Sequence, residues 1–354
     1  MFNVYRSAGR GGFREFAQAM VDVCDVAVLA TKDTFQARSR VVNLGAALLT
    51  EMESCSLHYE RTTRHVARSA FDHFQVHLNL VGDSHVRSER QTAVFRAGDI
   101  GIMDTSRSSQ HAVLAPHGLR ARSLSIFLPR SLLAPLLPSP GHGHCTVLRG
   151  DSVIGQVLGD HMVALLHRTE PASSMDHAVA LQGIVGLLAR GLGSTESVQP
   201  LRSPMRQAAL ASLQRYVEEH LDSSGLSADA ICRYSGWSRA TVYRLFESEG
   251  GLVAYVQRRR LQRAFMELIF ARSRRRVLDI ALESQFSSEA TFNRAFRRTF
   301  GIPPGEARTL ARHSMVEPRN GSAAVGVDDP ETPVRWIRQL ARYAAAQQPV
   351  RLGD

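Results

Sequence analysis

Apolar positions change their spacing several times along the chain, and each change marks a different kind of element. Residues 13–30, FREFAQAMVDVCDVAVLA, begin at helical spacing and run on into an apolar, strand-like stretch. From 40 to about 129 the pattern is short and apolar or alternating: VVNLGAALL, CSLHYER, FQVHLNL, TAVFRAGDIGIMD and LRARSLSIFL. Gly, Asp, Ser and His-Gly breaks separate these runs, which predicts a β-sandwich or small barrel. Between 130 and 193 the helical period returns. SVIGQVLGDHMVALLHRT and SSMDHAVALQGIVGLLARGL predict two apolar helices with a break at Pro171. Both carry more than one apolar stripe. One side is expected to pack on the strands, and the rest, with Leu165 and Leu188, against a second copy of the chain, giving a homodimer.

The remainder divides sharply. Residues 194–204 are polar with Gly and Pro and read as a linker. Residues 205–312 are helical throughout, and 313–354 read as a flexible tail closing in a short amphipathic helix, VRWIRQLARYAAA. The chain is therefore expected to hold one domain at 1–193 and another at 205–312, as its length of 354 residues favours.

Inside 205–312 a pattern occurs twice. LSADAICRYSGWSRATVYRLFES (226–248) opens with Ser227 as a helix cap and Asp229 in the first turn, where the helix dipole favours a negative charge. Ile231 and Tyr234 supply apolar contacts, Gly236 permits a tight turn, and Ser238 caps a second helix that buries Val242, Leu245 and Phe246. The free side of that helix shows Arg239, Ala240, Thr241, Tyr243 and Arg244. VLDIALESQFSSEATFNRAFRRTFG (277–301) repeats the plan. Ile280 and Ala281 face inward, Phe286 anchors the turn, and Ser287 or Ser288 caps the next helix. Phe292, Phe296 and Phe300 form the buried stripe; Glu289, Ala290, Asn293, Arg294, Arg297 and Arg298 lie beside or opposite it. Gly301 ends the helix and Pro303-Pro304 forbid its continuation. The segment between, LVAYVQRRRLQRAFMELIF (252–270), lacks Gly and Pro and predicts one long helix. Some twenty residues at ~1.5 Å each span about 30 Å, close to the ~34 Å between successive major-groove faces of B-DNA.

Charge points the same way. Residues 201–313 hold 19 arginines against 11 Asp and Glu, or +8 of the chain's net +10. Such asymmetry implies a polyanionic partner for that third, and two basic helix-turn-helix units make it double-stranded DNA. The first turns would read base edges. Arg297 and Arg298, further along their helix, would clamp phosphates; Arg258, Arg259, Arg260, Arg263, Arg272 and Arg274–Arg276 lie where phosphates could be met, with about half expected to do so and the rest solvated.

These residues carry a resemblance. Ile280-Ala281 followed by FSSEATFNRAFRRTFGIPP (286–304) and Arg308 is similar to the signature of the AraC/XylS family of bacterial transcription regulators. One position departs: Gln285 stands where the family has a turn glycine, so a non-glycine residue is expected in a glycine-like conformation, or the turn differs. The resemblance implies base contacts from Arg239, Ala240, Tyr243 and Arg244 in the first unit and Glu289, Ala290, Asn293 and Arg294 in the second. FRAGDIGIMDTSR (95–107) is similar to the turn of cupin-like barrels, with Ala97 in place of the usual proline. In the family such a barrel binds an effector or mediates association. The expected fold is thus α+β and multidomain: a cupin-like β-barrel with flanking helices, then an all-α domain of two helix-turn-helix units joined by a long helix.

Other chemistry changes little. No run of 18 apolar residues and no signal-peptide core is present, so the expected location is the cytoplasm. Cys24, Cys55, Cys145 and Cys232 are scattered and read as free thiols. PGHGHC groups His142, His144 and Cys145 but offers no fourth ligand at zinc spacing, and neither a phosphate-binding glycine loop nor a catalytic set can be assembled; no cofactor, metal or catalytic residue is expected. The expected function is sequence-specific transcription regulation, as an activator or repressor, with RNA polymerase and a small-molecule effector as candidate partners. A cupin-type enzyme fused to a DNA-binding domain is the alternative.

Overall fold

The computed structural model describes residues 2–44, 46–69, 71–88, 91–137, 143–167, 174–194, 204–270 and 275–315. The chain forms two compact units, the first running through the helix that ends at Ser194 and the second starting from the helix that begins at Pro204.

In the N-terminal unit, strand β1 (Phe2–Ala8) leads into helix α1 (Gly9–Met20) and β2 (Asp25–Val28). There follow β3 (Gln36–Asn43), β4 (Leu48–Ser54), β5 (Leu57–Arg61), α2 (Thr63–Ser69), β6 (His73–Val81), β7 (Asp83–Ser88) and β8 (Gln91–Phe95). The unit continues with β9 (Ile100–Asp104), β10 (Ser109–Leu114), β11 (Ala121–Pro129), the short α3 (Arg130–Leu133), β12 (Thr146–Leu148), α4 (Val153–His167) and α5 (Ser174–Ser194). The strands pair as two antiparallel sheets, one in the order β1-β3-β4-β11-β6-β9-β12, the other β2-β5-β10-β7-β8. No pairing among the described residues joins them, so the cupin-like domain is an open two-sheet arrangement and not the closed barrel expected.

Alternation along β11 shows how the sheets divide their faces. Leu124, Ile126 and Leu128 are fully buried in the cluster that holds Leu158, Met162 and Leu166 of α4 and Leu181, Ile184 and Leu188 of α5. Ser123, Ser125 and Phe127 take the opposite face, which lines a cavity. Leu165 and Leu188 therefore belong to the core at 7% and 0% exposure, which corrects the expectation that they meet a second chain. The sheet is wide enough to cover both. Among the described residues, the large apolar side chains that α4 and α5 leave in solvent are Val153, Val157 and Val179. The Gly98–Asp99 turn is built as its resemblance implied: Gly98 has φ +88°, and the Asp99 carboxylate accepts from Arg96 N–H, Arg149 and Gly150 N–H at 2.9 Å each.

The C-terminal unit comprises α6 (Pro204–Glu219), α7 (Ala228–Ser235), α8 (Arg239–Phe246), α9 (Leu252–Phe270), α10 (Val277–Glu283), α11 (Glu289–Phe300) and α12 (Pro304–Met315). Helix α9 has the bounds its sequence predicts. The linker expected at 194–204 overlaps the end of α5 and the start of α6, and its middle, 195–203, lies outside the described residues, as does the tail helix expected near the C-terminus. No helix among the described residues is long and apolar enough to cross a membrane.

Candidate nucleic-acid interface

Two helical pairs, α7–α8 and α10–α11, are built alike. Ser227 accepts the Ala230 N–H at 3.2 Å and starts α7; Ser238 accepts the Thr241 N–H at 3.3 Å and starts α8. Ser288, the second of the two serines considered, accepts the Thr291 N–H at 3.2 Å and starts α11. Each such bond satisfies a backbone donor that the helix itself leaves open. Val242 and Phe246 of α8 correspond to Phe292 and Phe296 of α11, and all four are fully buried. Val242 and Phe246 pack with Leu213, Val217 and Tyr255. Phe296 and Phe300 meet Phe265 of α9 at ring distances of 5.9 and 4.7 Å, and Phe286 meets Phe292 edge-on at 5.3 Å. Both second helices thus seat their apolar stripes on the unit that contains α9. Tyr234, expected among the apolar contacts, is half-exposed and stacks on Tyr216 at 4.1 Å.

The turns differ. Gly236 lies in the left-handed region with φ +70°, and Gln285 takes the matching place with φ +62°. Trp237 alone separates Gly236 from its cap, whereas Phe286 and Ser287 separate Gln285 from Ser288. The first expected outcome holds: a non-glycine residue adopts the glycine conformation. Within this chain the second turn is one residue longer than the first. Gln285 is tied in place by its own amide, which donates to the Asp222 carbonyl at 2.7 Å.

The sides of α8 and α11 turned away from these contacts carry the proposed readers. Arg239, Ala240, Tyr243, Arg244, Glu289, Ala290, Arg294, Arg297 and Arg298 are exposed, as is the Ser238 cap; Thr241, Ser288 and Asn293 are half-buried. Arg239 is held by a two-pronged bond to Asp229, at 2.8 and 2.6 Å. That contact holds the Asp229 carboxyl below the usual carboxylate range. Asn293 Oδ1 is buried and has no partner among the described residues. Arg297 and Arg298 fall in the last turn of α11, where the dipole favours cations.

Most arginines flanking the long helix are engaged within the unit, so a phosphate contact from any of these would have to displace a carboxylate or carbonyl partner. Arg258 bonds Glu249 at 2.8 Å, Arg259 bonds Glu218, and Arg260 donates to the carbonyls of Leu221 and Ser223 at 3.0 and 3.1 Å. Arg263 pairs with Asp222 at 3.0 Å, and Arg275 with Glu267 and Glu283. Arg276 precedes α10, and Arg272 and Arg274 lie outside the described residues. Sequence spacing could not show that a carboxylate from α6 would reach α9.

Residues 14–193 match the AraC-binding-like domain, and residues 231–309 match a helix-turn-helix domain. The chain belongs to the AraC family of transcriptional regulators. AraC-family proteins are DNA-binding regulators, and its relatives fit this. Regulatory protein SoxS of Salmonella typhimurium is 33% identical over 104 residues, 29% of this chain and 94% of SoxS. Transcriptional regulator Rob of the same organism is 36% identical over 101 residues, 28% of this chain and 34% of Rob. The match to the Bacillus subtilis regulator YbfP, 32% identical over 108 residues, spans 36% of that protein, so this chain covers about a third of the length of YbfP and of Rob. The crystal structure of the AraC-like transcriptional activator CuxR superposes with a TM-score of 0.51 at 22% identity, covering 75% of this chain and 96% of CuxR. That likeness is one of fold.

The strand region brings together residues that spacing along the chain could not group. A cavity of about 170 Å³ is lined by α1 and by strands of both sheets. Its polar lining includes Ser39, Tyr59, Arg61, Gln75, His77, His111 and Ser125. Burial lowers the His77 imidazole to about 4 and the His111 imidazole well below its ordinary value, so both are neutral at physiological pH. His77 Nε2 donates to Asn79 Oδ1 at 2.9 Å, because that oxygen cannot donate; its Nδ1 then accepts from Ser125 Oγ at 2.9 Å. Cys24 is also buried, its thiol pushed up to about 12 by desolvation, and all four cysteines are free. His144, weighed as a metal ligand, accepts the Asp104 N–H through Nδ1 at 2.9 Å; His142 lies outside the described residues.

Proposed function

We propose that the chain is an effector-responsive, sequence-specific transcription regulator whose helices α8 and α11 enter adjacent major grooves. The carrying observation is the duplication itself. Two capped helices with matching buried residues present corresponding positions, Arg239, Ala240, Tyr243, Arg244 and Glu289, Ala290, Asn293, Arg294, of which all but the half-buried Asn293 are exposed. Arg244 and Arg294 are assigned to guanine; Asn293, whose Oδ1 is buried, meets adenine by turning its amide outward, these being the pairings that base-edge geometry favours. Arg239 meets DNA by exchanging Asp229 for a base or phosphate. Arg297 and Arg298 hold phosphates and fix register. Helix α9, 19 residues or about 28 Å long, is the spacer.

In this reading the N-terminal cavity takes a small effector, the exposed valines of α4 and α5 support a homodimer, RNA polymerase is the downstream partner, and the protein works in the cytoplasm without turnover chemistry. Its direct test is mapping of bound genomic DNA followed by methylation protection on a recovered site. Two protected major-groove stretches about one helical turn apart per DNA-binding unit are expected. A single stretch, or uniform sequence-blind coverage, overturns the two-helix reading.

A further inference from the structure

The cavity in the N-terminal unit exists because its inner wall is made of small hydroxyl residues. Ser39 of β3, Thr50 and Ser54 of β4, and Ser123 and Ser125 of β11 line it on the seven-stranded sheet, where larger apolar side chains would have filled the space. On the five-stranded sheet Tyr59 and Arg61 share one face of β5, and the antiparallel register sets His111 across from Tyr59. Phe16, Met20, Met52, Phe71 and Phe127 supply an apolar lining.

Three charged residues line this space, and two of them are neutralised. Glu51 accepts twice from Arg122, at 2.7 and 2.6 Å. Asp104 binds Arg130 and lies 3.7 Å from Arg107. Arg61 is the third. It is 8% exposed. Among the described residues no carboxylate forms an ion pair with it, and Asp104, already held by Arg130 and Arg107, acts on it only through space. Its Nε donates to the Thr105 carbonyl at 2.8 Å, Nη1 to the Val23 carbonyl at 2.5 Å and Nη2 to Ser69 Oγ at 2.9 Å. A guanidinium carries five N–H groups, so one on each terminal nitrogen is uncommitted. A buried charge whose nearest carboxylate is already committed to other arginines is under-compensated, and carbonyl contacts relieve only part of the deficit. Two further polar atoms on the same lining are buried without partners: Ser39 Oγ and His111 Nε2. Both histidines near the cavity are neutral, which leaves Arg61 as the lining cation. The volume of about 170 Å³ compares with the ~150 Å³ cavity that admits a benzene molecule.

We propose that this cavity binds a small organic monocarboxylate, its anionic head on the uncommitted Arg61 N–H groups and its body, about one aromatic ring in size, against the apolar lining. The proposal rests on the reading of the N-terminal unit as effector-binding. It names the effector's charge and size: a planar carboxylate matches the guanidinium fork, supplies the direct ion pair that Arg61 lacks, and leaves Ser39 and His111 to meet any further polar atom.

The test uses the full chain and a panel of acids, each paired with its primary amide: benzoate, phenylacetate, cyclohexanecarboxylate and hexanoate, at up to millimolar concentration. Thermal melting and calorimetric titration report binding. At least one acid is expected to bind at least about tenfold tighter than its amide, a difference of about 1.4 kcal/mol. Arg61→Met should erase that preference and Arg61→Lys retain part of it. Because Arg61 also ties three segments, Ser39→Leu serves as a second variant. It breaks no hydrogen bond, fills the cavity, and should abolish acid binding with Arg61 intact. Amides that match the acids overturn the charge assignment and leave the cavity as an effector site. Acid binding unaffected by Ser39→Leu places the acid elsewhere and overturns the proposal. Failure of every acid and every amide to bind overturns both the proposal and the effector reading of this cavity.

Discussion

Replacing Gln285 by glycine and, separately, by alanine isolates a strain that one position of the second turn holds. Gln285 has φ +62°, a region that costs an L-residue about 1–2 kcal/mol. Its amide offsets part of this through the 2.7 Å bond to the Asp222 carbonyl, worth about 0.5–1.5 kcal/mol and nearer the low end because the bond is exposed. Gln285→Ala keeps the strained backbone and loses the bond, so it should destabilise by about 0.5–1 kcal/mol. Gln285→Gly loses the same bond but releases the strain, and should lie within about 0.5 kcal/mol of the parent. The glycine variant should thus exceed the alanine variant by about 1 kcal/mol, or roughly 4–8 °C in the melting of a unit this size. Trp237, in the equivalent turn of the first unit, reports the transition by fluorescence. An alanine variant as stable as the glycine variant would refute both the strain and the assignment of this turn.

Arg297→Ala should weaken operator and random DNA alike and lower the log-affinity versus log-salt slope by about 0.9, with base preference intact. A changed preference at constant slope would make Arg297 a reader. Burial lowers His73, His77 and His144 to about 3, 4 and 3, so the unfolded chain takes up their protons first as pH falls below about 6.5. Stability should therefore drop between pH 7 and pH 5, by on the order of 1–2 kcal/mol per histidine, seen as a lower urea midpoint; an unchanged midpoint would contradict it. Val157→Glu with Val179→Glu, both outside the core, should weaken self-association in sedimentation, and a monomeric parent at micromolar concentration would remove the homodimer from the account.

The helical unit was legible because its signals are local. Ser227, Ser238 and Ser288 each start a helix, Gly236 and Gly301 each end one, and Phe292 and Phe296 repeat at a helical interval. A single stretch of chain carries every one of these cues. The strand unit was legible only as a class. Strand β7, DSHVRS, alternates between exposed and buried positions, but its buried members are Ser84, Val86 and Ser88, so no hydrophobic rhythm announces it. Closure of the expected barrel depends on pairing between distant strands, which spacing does not report. The same limit explains the arginines of α9. Arg259 and Arg263 look free in sequence, but Glu218 and Asp222 lie about forty positions earlier and meet them only after folding. Arg61 escaped notice for the opposite reason: one arginine in a strand looks like a surface charge until its burial is known.

The central claim is that α8 and α11 read different bases about one helical turn apart. Selection of bound sequences from a random duplex library, run in parallel on the parent, Arg244→Ala and Arg294→Ala, tests it most directly. A bidentate arginine–guanine contact is worth roughly 1–3 kcal/mol of discrimination, so each variant should lose preference by about fivefold or more at its own position. The account predicts two separate positions, about 10 base pairs apart, each relaxed by one variant and unaffected by the other. Selected sequences from both variants that coincide with those of the parent would contradict it.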